Sequence, residues 1–382
     1  MKEINKLRKE INELLDGEET WWSQRSRVQG FGEGDRNTRY FHNRASEQHK
    51  KNTITGLWNE NGQWCEDRSS IAAATLSYFE DIYTSTLPSR IEEVTQLIPA
   101  KVTVDMNESL IKEFTAEEVQ TALLQMHPTK APGPDGMSAI FYQKYWKIVG
   151  VDVTNMVLNV LNSNMSIADI NKTNIALVPK VKHPTRMKEF HPISLSNVVY
   201  KLISKTLANR LKSVLPQIIS KNQSVFLSKR LITDNVLVAF ELMHYLDHKK
   251  EEKESFMALK LDMSKAYDRV EWNFVEGVMK RLGFHEKWVG WIMKCITTIS
   301  YSVLINGEAH GCIVPSRGPS YLFLLCIEAF SAFIADANNS HELNGISICK
   351  GYPKVTHLFF ADDSLLFCKA KRQEGHKLVK LR

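Results

Sequence analysis

No CxxC pair occurs anywhere in the 382 residues, and none of the six cysteines stands at zinc-ligand spacing from a histidine. Neither a zinc-stapled nor a disulfide-stapled fold is therefore indicated, and thiols used this way fit a reducing, intracellular setting. Long apolar runs are missing too. The longest, Tyr321 to Ala335, is interrupted by Glu328 and falls short of the roughly 20 residues that a bilayer span needs, so it reads as a buried helix. The first fifteen residues, MKEINKLRKEINELL, are charged at helical spacing, unlike a secretory signal with its uninterrupted apolar segment. Collagen-like, mucin-like and prion-like tracts are absent. What remains, at 43% hydrophobic and 24% charged residues, is a soluble globular composition. The length suits one composite core with an N-terminal appendage.

A net charge of +6 specifies no partner, since many metabolic enzymes carry as much. Its distribution is more informative. Residues 171 to 230 hold twelve Lys or Arg against one acid, Glu189, an electrostatic footprint suited to a phosphate backbone and equally to a solvated basic face.

Ile4, Leu7, Ile11, Leu14 and Leu15 recur at helical spacing, which predicts an amphipathic helix over 1–16 ending near Gly17. The aromatic and arginine residues that follow (Trp21, Trp22, Arg25, Arg27, Arg36, Arg39, Tyr40 and Phe41) could stack on bases or form an ordinary mixed surface. Asn61-Gly62 between apolar flanks suggests a hairpin. Helices are expected over 69–83 and 115–126, the second opened by a Thr115/Glu118 capping box. KAPGPDG, with two prolines and two glycines in seven residues, predicts an ordered loop. NIALVPK reads as a short buried strand, Ser196 to Leu215 as a helix stopped by Pro216, and Asp234 to Leu246 as another helix before the solvated run DHKKEEKE.

Two places carry unusual carboxylates. FMALKLD is an alternating apolar strand ending in Asp262, and THLFFADDSLLF places Asp362 and Asp363 between two apolar runs, as at the tip of a β-hairpin. Alone, Asp262 fits a turn residue or helix N-cap, and the pair fits an acidic turn. Adjacent carboxylates repel one another, however, and are costly unless solvated or bound to a cation. An Asp on one strand and an Asp pair on a neighbouring hairpin could together hold two divalent cations roughly 3.5–4 Å apart. Hard oxygen ligands suit Mg²⁺, and the chemistry such a pair supports is nucleotidyl transfer.

At these residues the chain resembles the reverse transcriptases of non-LTR, LINE-type retrotransposons, most closely their plant branch. The resemblance runs in order through GDRNTRYFH, KAPGPDG, ALVPK with HPISL, QSVFLSKRLITDN, LDMSKAYDRVEW and FFADD. It implies an α+β fold, the fingers and palm of a right-hand polymerase with an antiparallel palm sheet packed on helices and no thumb. By the same resemblance, 1–110 is a connector downstream of an endonuclease, 111–250 the fingers and first palm helices, and 251–382 an incomplete palm. Asp262, Asp362 and Asp363 are implied as catalytic metal ligands for two Mg²⁺ ions, with Mn²⁺ as an alternative. Tyr267 matches the family's aromatic steric gate, Lys180 a triphosphate contact and Arg230 a residue of the template-binding segment; each fits an ordinary core or surface role as well. The implied partners are an RNA template, a DNA primer and deoxynucleoside triphosphates, with no membrane, unknown protein partners and, by analogy, nuclear residence.

Three departures bear on activity. His191 stands where the family has arginine, and an imidazole cannot form the bidentate phosphate fork of a guanidinium. The family's RGLRQGDPLSPYLF appears as RGPSYLF, Arg317 to Phe323. The sequence also stops soon after FADD, which implies a missing thumb. The expectation is an RNA-directed DNA polymerase fold in a degenerate or fragmentary copy. The rival readings are a catalytically inactive nucleic-acid-binding remnant and an unrelated metal-dependent hydrolase using the same aspartates.

Overall fold

The computed structural model describes residues 1–26, 38–163, 165–224, 227, 230–248, 255–262, 265–318, 322–348, 353–360 and 363–381. In chain order its strands are β1 (Leu57–Trp58), β2 (Trp64–Cys65), β3 (Lys172–Pro179), β4 (Phe190–Ser196), β5 (Phe256–Asp262), β6 (Ser300–Ile305), β7 (Glu308–Ile313), β8 (His357–Phe360) and β9 (Asp363–Lys369). Helices and sheets mix as the α+β expectation requires. The chain forms two compact units, each discontinuous in sequence: Met1–Asp81, Thr115–Ile203 and Ile299–Val314 make one, and Ile82–Phe114, Ser204–Thr298 and Pro315–Arg382 the other. No helix among the described residues is long and apolar enough to cross a membrane.

The first unit is organised on the sheet β4-β3-β6-β7, in which β3 runs antiparallel to β4 and parallel to β6. Its register places Thr173 opposite Tyr301 and Ile175 opposite Val303, and all four are buried. One face of the sheet therefore makes core, as a period of two requires. NIALVPK falls on β3 as read from sequence, and HPISL, for which no strand was expected, lies on β4. β1 and β2 form the expected hairpin, with Gly62 at φ +73° in its turn. The capping box of Thr115 and Glu118 is present at helix Ala116–Leu124. In KAPGPDG, Gly133 lies so close to Asn197 that an added Cβ would sit 2.4 Å from the Asn197 backbone nitrogen, and Asn197 Oδ1 accepts from the Asp135 amide. The loop is thus fixed from outside its own sequence.

The helix expected to end near Gly17 instead spans Lys2–Ser26. An interior glycine costs about 1 kcal/mol relative to alanine, too little to end a helix when polar helix formers such as Glu18 follow it. Arg27 and Arg36 lie outside the described residues, as do the side chains of Trp21, Trp22, Arg25, Arg39 and Phe41.

The helix expected to stop at Pro216 runs as Val198–Ile218 with the proline inside it, and from Ser204 onward it belongs to the second unit. A proline in the last turn removes one amide donor; the helix persists because distant side chains take its terminal carbonyls. Arg230 donates to the carbonyls of Pro216, Ile219, Ser220 and Gln223, and Lys101 Nζ donates to that of Ile218. Arg210 does similar work at helix Val104–Ile111, donating to the carbonyls of Leu110, Lys112 and Glu113 while lying over the Phe114 ring. Two arginines of the basic stretch are thereby committed to backbone. The sheet of this unit has the order β5-β9-β8, all antiparallel. One face packs on helix Ile232–His248 through Ala239, Leu242, Leu358 and Phe367. The other meets helix Phe323–Asn339 through Phe330 against Phe359 and Ser331 against His357. Burial on both faces explains the near-continuous apolar sequence of β8 and β9.

Candidate functional site

β9 is the central strand of its sheet, and its first residue decides the geometry. In the register, Asp363 is opposite Asp262 at the end of β5 and opposite Phe360 at the end of β8. Cross-strand partners share a face, so two carboxylates about a hundred residues apart in sequence stand side by side at one end of the sheet. Like charges directly opposite one another are destabilising in an antiparallel pair. The only cation within ion-pair distance of Asp363 among the described residues is Lys260, whose Nζ lies 3.1 Å from Asp363 Oδ1. Both partners are largely solvated, and an exposed pair of this kind contributes about 0–1 kcal/mol. Asp362 lies outside the described residues, and among those described no three His, Cys, Asp or Glu side chains converge on a point. The donor set that is described, the hard carboxylates of exposed Asp262 and half-buried Asp363 on one face, fits Mg²⁺, which keeps several waters and binds through few protein ligands.

Tyr267 follows Asp262 in a single 3₁₀ turn, Tyr267–Arg269. The turn is entered through Lys265 in a left-handed conformation, φ 55°, and the Tyr267 ring sits 4.8 Å from the Phe323 ring. Burial raises the carboxyl pKa of Asp268 in the same turn, against the pull of Lys265 and Arg269. Arg230 belongs to the same unit as the aspartates, with its guanidinium on four carbonyls as described above. Lys180 and His191 belong to the other unit. Lys180 Nζ donates to the Lys188 carbonyl, and His191 is exposed on β4 opposite Val178.

Behind β8 lies a polar seam that the sequence did not announce. His357 is buried in an apolar run and touches Asn222 Nδ2 and Ser331 Oγ through Nε2 and Thr356 Oγ1 through Nδ1. With Nε2 accepting from the amide, the ring is neutral with its proton on Nδ1. Burial pulls its pKa down to about 3. The segment carrying Asn222 is stitched to β8: Phe359 N donates to Asn222 O, Gln223 bridges Phe359, and Asn235 Nδ2 reaches the carbonyls of both Asn222 and Phe359. Glu328 completes the seam. It is 3% exposed, pairs with Lys101 Nζ at 2.5 Å and accepts from the Ser220 amide. The charged residue that interrupted the apolar run was the one sequence signal for this network.

A family model described as "Reverse transcriptase (RNA-dependent DNA polymerase)" matches residues 171–381. The chain belongs to the reverse transcriptase family. Its relatives include the transposon TX1 uncharacterized 149 kDa protein of Xenopus laevis, 28% identical over 355 residues, which are 90% of this chain and 26% of that protein. An uncharacterized mitochondrial protein of Arabidopsis thaliana is 38% identical over 16% of this chain and 56% of its own length. The retrovirus-related Pol polyprotein of the type-1 retrotransposable element R2 of Popillia japonica is 22% identical over 67% of this chain and 35% of its own length. These relatives support the non-LTR retrotransposon kind of reverse transcriptase. The chain spans about a quarter to a half of the curated proteins it matches. Within the matched reverse transcriptase residues lie Asp262, Asp363, Tyr267, Lys180, His191 and Arg230, together with the whole His357 side of the seam.

Proposed function

We propose that the chain is the fingers-and-palm core of an RNA-directed DNA polymerase, which extends a DNA primer on an RNA template with deoxynucleoside triphosphates. The observation that carries this reading is the register of Asp262 against Asp363 at one end of the sheet. Like charges set opposite one another destabilise an antiparallel pair, and a bound cation offsets that repulsion. In this reading the four-stranded sheet and its loops are fingers and the three-stranded sheet is palm. Asp262, Asp362 and Asp363 would hold two Mg²⁺ ions, or Mn²⁺, which when bound supply charge stabilisation at the phosphates. Tyr267, held in its turn and against Phe323, excludes a ribose 2′-hydroxyl by occupying its space. Lys180 and His191 contact the triphosphate. Arg230 serves the template by fixing the Ser220–Gln223 segment that leads into QSVF.

The shortened Arg317–Phe323 segment favours a second reading, a nucleic-acid-binding remnant without turnover. Primer extension on an RNA template in Mg²⁺ and then Mn²⁺, beside an Asp363→Asn variant, decides between them. Extension by the parent chain that disappears in the variant supports a working polymerase. Template binding that weakens linearly on a log–log scale with salt, without extension by either chain, supports the remnant and overturns the catalytic reading.

A further inference from the structure

The N-terminal helix Lys2–Ser26 packs beside helix Thr38–Asn52, yet an apolar seam along its first half stays exposed among the described residues. Ile4, Leu7, Ile11 and Leu14 are 55%, 54%, 54% and 75% exposed, although a helix stripe of this kind ordinarily faces a core. Their spacing of three, four and three residues is that of alternate a and d positions in a heptad, with β-branched isoleucine at both a positions and leucine at both d positions. That choice favours two parallel strands over higher oligomers. The flanks agree with it. Counted from Ile4 as a, Glu3 and Glu10 fall at g while Arg8 and Leu15 fall at e. In a parallel in-register pair, g of one helix faces the following e of the other, so each Glu3 meets an Arg8 and the methylenes of each Glu10 cover a Leu15. An antiparallel pair sets g against g and e against e, bringing glutamate to glutamate. On the outer surface, Lys6–Glu10 and Lys9–Glu13, each at 3.9 Å, support the helix itself.

We propose that this helix is a homodimerisation element, a short parallel coiled coil whose occupant is a second copy of the same chain. The seam is self-complementary in its heptad pattern and charge, which is what a two-fold interface needs. The next a position is Glu18, exposed in the helix, so the apolar seam covers only two heptads. The association is therefore weak and reversible. It is independent of the polymerase reading, and an Asp363→Asn chain dimerises as the parent does.

Sedimentation equilibrium of the full chain over a rising concentration series tests it. A monomer–dimer equilibrium is expected, and Ile11→Lys, which sets two ammonium groups in the seam, abolishes it. Glu3→Lys and Arg8→Glu should each weaken the dimer roughly tenfold by turning two attractive pairs repulsive. Mixing these two variants restores association, because each then carries the charges the other lacks. All of these positions are exposed, so circular dichroism should show unchanged folding. A chain monomeric at every concentration, or a dimer that survives Ile11→Lys, overturns the proposal. A mixture no tighter than its components overturns the parallel pairing.

Discussion

One small sheet meets charge in two ways. Behind β8, Glu328 and Lys101 form a carboxylate–ammonium pair in which the carboxylate is almost wholly buried and also takes the Ser220 amide. At the end of the same sheet, Asp363 has another lysine, Lys260, at a similar separation, but the lysine is exposed, the carboxylate is half-buried and Asp262 stands opposite. The first arrangement satisfies its own charges. The second sets two carboxylates against one ammonium group among the described residues. Distance alone would have ranked these two pairs together; burial and the number of remaining partners separate them.

The sharpest way to break this comparison is Glu328→Ala, which strands the Lys101 ammonium and the Ser220 amide. Removing one partner of a buried pair typically costs about 3–5 kcal/mol, and urea unfolding should show a loss of that order. A loss below about 1 kcal/mol would place Glu328 with the surface pairs. Next comes acid. The His357 pKa is lowered to about 3 from its usual 6.5, so between those values the unfolded chain binds the proton and the folded chain does not. Stability due to this group is complete above pH 6.5 and falls as the pH drops toward 3, by an amount on the order of 4 kcal/mol. Denaturation midpoints of parent and His357→Gln chains across that window should converge as the pH falls; parallel curves would remove His357 from the seam.

At the aspartate end the sign reverses. Asp363→Asn relieves the opposed charges, so stability should stay level or rise by up to about 0.5 kcal/mol in the variant expected to lose primer extension. A loss of 2 kcal/mol or more in the same unfolding assay would make Asp363 a structural residue. Lys260→Met should have the smallest effect, a loss below about 1 kcal/mol that vanishes in high salt.

The legible parts of the sequence were those whose signal is local. β3, β5 and the β8–β9 hairpin follow alternation or apolar runs bounded by turn residues, and Thr115 with Glu118 announced its own helix start. The pairing of Asp262 with Asp363 was legible only as a strand end and a hairpin end; the register that sets them opposite one another is seen in the structure. What stayed hidden depends on partners far along the chain. Pro216 reads as a stop until Arg230 and Lys101 are seen taking the carbonyls around it. His357 reads as one more residue of an apolar hairpin, because Asn222 and Ser331 come from other elements. The basic stretch promised more free cations than exist, since Arg210 and Arg230 are bound to backbone.

Lys101 lies seventy residues upstream of the segment that marks this chain as a reverse transcriptase, residues 171–381, yet it closes the helix end at Ile218 and neutralises Glu328 within that segment. The portion recognisable by ancestry is thus smaller than the portion that must be inherited together. A version trimmed to the recognisable boundary would carry a buried carboxylate with no counter-ion, and recombination or truncation between residues 101 and 171 would damage the unit built on β5-β9-β8 while leaving the sequence of that sheet untouched.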